Sequence, residues 1–178
     1  MASPSVVPLT VTSPLATNYY CAVAIGEQSY GPPSVTAGYW LVVVDRVTLN
    51  VVYNQVLTSY TAAPNLGSYN TDGYFMVFTT IAGTINTLPQ GDLYNFLIAN
   101  GAGKQLSRLE QINDQIGCGA ISGFGYSLIS VLGLGANPPP GIEVSTVDTS
   151  NLQGVIVTAS LIGTVVDGQT IYSPVILQ

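Results

Sequence analysis

The stretch "YFMVFTTIAGTINTLPQGDLYNFLIAN" (74–100) decides the fold, because the helix or strand character of its two halves sets how the layers are built. In 74–88, Phe75, Phe78, Ile81, Ile85 and Leu88 recur at steps of 3, 3, 4 and 3, which is one face of a helix. The composition is strand-like, and the threonines and Gly83 make a poor helix by propensity. Both readings stand on the residues alone, with burial of the stripe favouring a helix over 74–88. "DLYNFLIAN" (92–100) reads as a strand.

Outward from this stretch, "GYWLVVVD" (38–45) is a continuous apolar, β-branched run that suits a strand buried on both faces, with Trp40 in the core. "LNVVYNQVLT" (49–58) alternates, so the two form a hairpin. Residues 59–73 are rich in turn formers and read as a loop. Leu106, Leu109, Ile112 and Ile116 fall on one face of a helix over 104–116, stopped by Gly117. "YSLISVLG" (126–133) is a further strand, and "ANPPPG" (136–141) a rigid connector. In the tail, Asp167-Gly168 between two alternating runs predicts a two-residue hairpin turn. Prolines at 4, 8, 14, 32 and 33 make residues 1–35 an extended arm, with an edge strand around 18–25.

Gly103-Lys104 between an apolar run and a helix has the setting of a phosphate-binding loop. That loop needs a glycine at 98 and Ser or Thr at 105; the chain has Ile98 and Gln105. Nucleotide binding is therefore not expected.

Only three residues are basic (Arg46, Lys104, Arg108) and nine acidic, so ionic groups cannot cover the surface. A neutral extracellular domain would fit. So would a subunit whose apolar, tyrosine-rich surface packs against copies of itself or other subunits, and the positive mean hydropathy of +0.43 favours the second. So few cations argue against nucleic-acid and anionic-membrane partners. No apolar run reaches the ~18 residues of a membrane helix. The start has neither the basic nor the apolar region of a secretory leader. Cys21 and Cys118 are a candidate disulfide that would close a long loop, worth up to about 4–5 kcal/mol; two buried thiols are the alternative.

With no histidine, the common general base and most zinc sites are missing. Glu110 and Asp114 are one helical turn apart, but a solvated helix surface explains them better than a glycosidase pair. Lys104 and Arg108 lie toward the positive end of that helix and the two acids toward the negative end, an order that matters little if all are exposed. "YNTDG" (69–73) lacks the alternating acids of a calcium loop. Tyr60, Tyr69 and Tyr74, around the long loop, are the candidates for glycan or partner contact. No catalytic residue, metal or cofactor is expected.

The order of "GYWLVVVD", "TLNVVYNQVL", "LPQGDLYNFLIANGAG" and "RLEQINDQIGCGAISGFGYSLISVLGLG" resembles the interleukin-like EMT inducer (PANDER-like) domain over residues 38–143. The resemblance implies an α+β fold, a β-β-α sandwich of mainly antiparallel sheets with two short helices, and it implies the helix over 74–88. Relatives of this type are secreted signalling proteins and accessory domains of glycan-processing enzymes, some of which bind carbohydrate. The expected organisation is an arm (1–35), an inducer-type domain (36–145) and a C-terminal β-hairpin extension (146–178). The expected role is a non-enzymatic structural or interaction subunit of an extracellular or virion-surface assembly, the alternative being a carbohydrate-binding module that uses the tyrosine loop.

Overall fold

The computed structural model describes residues 5–15, 20–34, 38–81, 87–116, 123–147 and 154–176. In chain order these form β1 (Val6–Ser13), β2 (Ala22–Ile25), β3 (Gln28–Tyr30), β4 (Gly38–Asp45), β5 (Val51–Leu57), β6 (Tyr74–Ile81), α1 (Gly91–Ala99), α2 (Lys104–Ile116), β7 (Gly125–Val131), β8 (Ile142–Thr146), β9 (Val155–Val166) and β10 (Gln169–Val175). They make two antiparallel five-stranded sheets, β10-β9-β1-β2-β3 (sheet A) and β5-β4-β6-β7-β8 (sheet B). The fold class is thus the α+β sandwich with two short helices.

Sheet B is the middle layer, and its central strands are apolar at nearly every position because both faces are buried. Trp40, Val42, Val44, Phe75, Val77 and Ile129 meet Leu9, Val11, Val23, Val155, Val157 and Leu161 of sheet A. Tyr39, Leu41, Met76, Phe78, Tyr126 and Leu128 face the other way, onto Leu93 and Leu97 of α1 and Leu106 and Leu109 of α2. Each fully buried side chain of this size contributes about 1.5–3 kcal/mol. Trp40 lies in the core as expected, its Nε1 donating to Asn54 Oδ1 at 2.6 Å.

The two halves of the deciding stretch exchange roles. Residues 74–81 are not a helix but β6, paired with β4 from Gly38↔Ile81 to Asp45↔Tyr74 and with β7 from Phe75↔Val131 to Thr79↔Ser127. Phe75 and Phe78, which share a helical stripe, point into opposite layers. A strand that is apolar on both faces contains a helical stripe by default, so the period had no discriminating power there. Of the rest of the expected helix, 82–86 lie outside the described residues, and Thr87 and Leu88 are not helical. Residues 92–100 are not a strand but α1, which buries Leu93 and Leu97 one turn apart, carries Asp92 in its first turn and ends before Gly101 at φ +91°.

The arm and the hairpin also change status. β1 pairs with β9 from Val6↔Ile162 to Ser13↔Val155 and with β2 from Leu9↔Ile25 to Thr12↔Ala22, so residues outside 36–145 supply sheet A and half of the inter-sheet core. The expected three-part division therefore does not correspond to separate cores. Asp167 and Gly168 form the β9–β10 turn, both with positive φ (50° and 80°), as the sequence leads one to expect. Arg46 ties this hairpin to sheet B: Nε donates to Tyr172 O (2.8 Å), Nη2 to Ser173 Oγ and Nη1 to Asp72 O (both 2.6 Å).

Candidate functional site

Alternation along the strands of sheet A sends one set of side chains into the core and the other to solvent. On β9, Val155, Val157, Ala159 and Leu161 are buried, while Ile156, Thr158 and Thr164 are exposed. Register places the outward residues in rows: Ala22, Thr12, Ile156; Ala24, Thr10, Thr158; Pro8, Ser160, Val175; Val6, Ile162, Ser173. None of the five strands carries a charged residue, and Glu27 and Asp167 sit in turns. Ile156 is 54 % exposed in the row at one end of the face, beside Thr12 and Ala22, and Tyr20 is 71 % exposed at the margin next to it. One broad side of the molecule thus presents methyl, methylene and hydroxyl groups without a single ionic side chain on its strands. The charge of the helix layer is at the opposite side, where Lys104, Arg108 and Asp114 are exposed on α2.

The glycine-lysine turn that resembles a phosphate loop has an internal anion instead. Glu143 of β8 reaches the start of α2: Oε1 accepts from Gly103 N (3.0 Å) and from Tyr126 Oη (2.6 Å), and Oε2 accepts from Gln105 N (3.1 Å). The helix N-terminus, with its unpaired N–H groups and positive dipole end, is thereby neutralised by the chain itself. Burial, together with the adjacent Glu143 carboxylate, pushes the Tyr126 phenol well above its ordinary pKa. A cleft of about 560 Å³ beside this turn is lined mainly by Ile98, Ala102, Ala136, Pro138 and Pro140, with Lys104 at its rim.

Glu110 and Asp114 open on a polar groove of about 550 Å³ between α2 and residues 87–90. The opposing wall, Thr87-Leu88-Pro89-Gln90, brings no acid, so the groove does not set two carboxylates across a bond. Tyr94 Oη donates to Glu110 Oε2 at 3.2 Å, and its own pKa is raised by burial and by that carboxylate. Among the described residues no three metal-ligating side chains gather, and no helix is long and apolar enough to cross a membrane.

The three candidate contact tyrosines do not form one platform. Tyr60 packs edge-on to buried Tyr39 (centroids 5.9 Å apart, 83°), and Tyr69 packs edge-on to Tyr74 (5.3 Å, 75°); all three are half-buried against the helix-side core. Cys21 is a buried free thiol whose pKa is pushed up to about 12 by burial; Cys118 and Gly117 lie outside the described residues. The uncharged face is hidden from the sequence because β1, β2 and β9 lie in the terminal arm and hairpin, and only their pairing in sheet A lines up their outward positions. The signal was available: "PLTVTS" and "VIVTASLIGT" alternate apolar and hydroxyl residues with no charge. No protein-family model matches the chain, and no curated protein matches it.

Proposed function

We propose that this chain is a non-enzymatic structural protein that assembles with copies of itself, a subunit of an extracellular or virion-surface assembly, through the outer face of sheet A. The single observation behind this reading is that face: strands without charge, carrying exposed Ile156 between threonines, with the sheet's charged side chains confined to its turns. Interface cores are depleted of charge, whereas a solvent-facing antiparallel sheet ordinarily alternates apolar residues with charged and polar ones. The arm and hairpin serve the assembly by building this face rather than by reaching out to neighbours. The secreted relatives of the domain that the sequence resembles support an extracellular setting, and the scarcity of ionic groups supports a subunit of a surface assembly such as a virion.

Light scattering across a concentration series tests the reading. The chain should be heavier than its 18.6 kDa monomer, and Ile156→Lys should return it to that mass, while Arg108→Glu on the helix side should not. A monomer throughout the series contradicts the proposal.

A further inference from the structure

Each sheet has two edges, and three of the four are guarded. β10 carries Pro174 within its length, and β3 is three residues long and runs into Gly31-Pro32-Pro33. β8 carries Glu143 and is fastened beneath the first turn of α2 by its carboxylate and by Ser145 Oγ donating to Gln105 Oε1 at 2.9 Å. The remaining edge, β5, has neither proline nor charge. A register shift opposite Val43 and Val44 marks its start, which leaves Tyr53–Leu57 as a regular edge. Among the described residues no backbone hydrogen bond reaches its outer side. The loop that follows turns away, with Tyr60 O accepting from Gln90 N (2.8 Å) and Thr61 O from Leu93 N (2.9 Å). Between loop and edge runs a groove of about 490 Å³ lined by Tyr53, Gln55, Leu57, Ala62, Pro64 and Asn65.

We propose that β5 docks β5 of a second copy of this chain, antiparallel across a two-fold axis, joining two five-stranded sheets into one. An isologous contact needs a strand that complements itself. Centred on Gln55, the pairing sets Tyr53 opposite Leu57 of the second copy, Asn54 opposite Val56 and Gln55 opposite Gln55. It gives aromatic–aliphatic pairs on both sides of a central amide pair, with no like charges facing. The peptide groups of this edge that meet no backbone partner among the described residues supply the hydrogen bonds, as in other strand-addition contacts. The inference rests on the reading of the chain as an assembly subunit, but uses a surface separate from the outer face of sheet A.

Hydrogen exchange of the 53–57 amides, measured with light scattering at micromolar and millimolar chain, tests it. Protection of these amides should rise with concentration, and Gln55→Lys, which places two ammonium groups on the axis, should weaken that step about tenfold or more. If the chain assembles and Ile156→Lys dissolves it, yet 53–57 exchange equally at both concentrations or Gln55→Lys changes nothing, the edge contact is wrong and the assembly reading stands. Protection that appears only on adding an unrelated extended peptide overturns self-pairing. A monomer at every concentration overturns both.

Discussion

Replacing Glu143 with alanine removes the anion at the start of α2 and the acceptor of a buried phenol in one step. The structure sets the size of the effect. Tyr126 is fully buried and its hydroxyl has Glu143 as its acceptor, so truncation strands a buried donor at a cost of about 1–3 kcal/mol. Gly103 N and Gln105 N lose their cap as well, which is worth about 0.5–2 kcal/mol on the scale of helix N-caps. Because solvent can rehydrate those two amides, the expected total is about 2–4 kcal/mol, read as a lower urea midpoint at unchanged slope. Glu143→Gln keeps the shape but turns an amide N–H₂ toward a donor, and should lose about half as much. Adding Tyr126→Phe to Glu143→Ala should cost less than the two changes summed, since the stranded hydroxyl is gone; a coupling of about 1 kcal/mol is expected. A loss below about 0.5 kcal/mol for Glu143→Ala, or strict additivity with Tyr126→Phe, would refute the capping argument.

Tyr39 and Tyr126 have pKa values raised mainly by burial, so the folded protein holds both protons while the unfolded chain releases them above its ordinary value of 10.0. Their contribution is fully present below that value and is lost as pH rises past it, so the urea midpoint should fall steeply in alkali. Tyrosinate absorbance should show Tyr39 and Tyr126 ionising only with unfolding; their reversible titration in the folded state, resolved with Tyr39→Phe and Tyr126→Phe, would contradict the burial. Asp45 behaves in the opposite sense. Burial raises its pKa, but Val47 N, Thr48 N and Thr48 Oγ1, all donating to Oδ1, outweigh burial and hold it below 3.8. That contribution is present above 3.8 and lost as pH falls through the folded value, so Asp45→Asn should flatten the acid limb of the stability profile. An unchanged limb would remove Asp45 from the account.

Much of the architecture was legible where a single periodicity was in force. α2 shows Leu106 and Leu109 on one buried stripe, and the Asp167-Gly168 turn requires positive φ twice, which those residues tolerate. The 74–100 stretch failed for a physical reason. A strand with two buried faces is apolar at all phases, and α1 is too short, with two buried leucines, for its period to stand out from an apolar run. Proline counts misled in the arm: Pro8 sits inside β1 at a position whose side chain faces solvent, in a strand flanked by β2 and β9. Lacking an N–H, Pro8 still contributes its carbonyl, which accepts from Gly26 N at 2.9 Å. The partner of the α2 N-terminus was not legible, because Glu143 is 40 residues from Gly103 in sequence and reaches it only once β8 is laid beside β7. Likewise, no local pattern shows that Tyr60 belongs with Tyr39 while Tyr69 belongs with Tyr74.

The central claim, that the outer face of sheet A is covered by another copy, is tested most directly by a thiol placed on it. Cys21 is buried with its pKa pushed up to about 12, so in a Cys118→Ser background the Ile156→Cys thiol becomes the reactive reporter. Its labelling rate should be that of a free surface thiol in dilute chain and should drop as the chain is concentrated and the mass rises. Equal rates at both concentrations, in protein that has assembled or remained single, would show the face open to water and contradict the account.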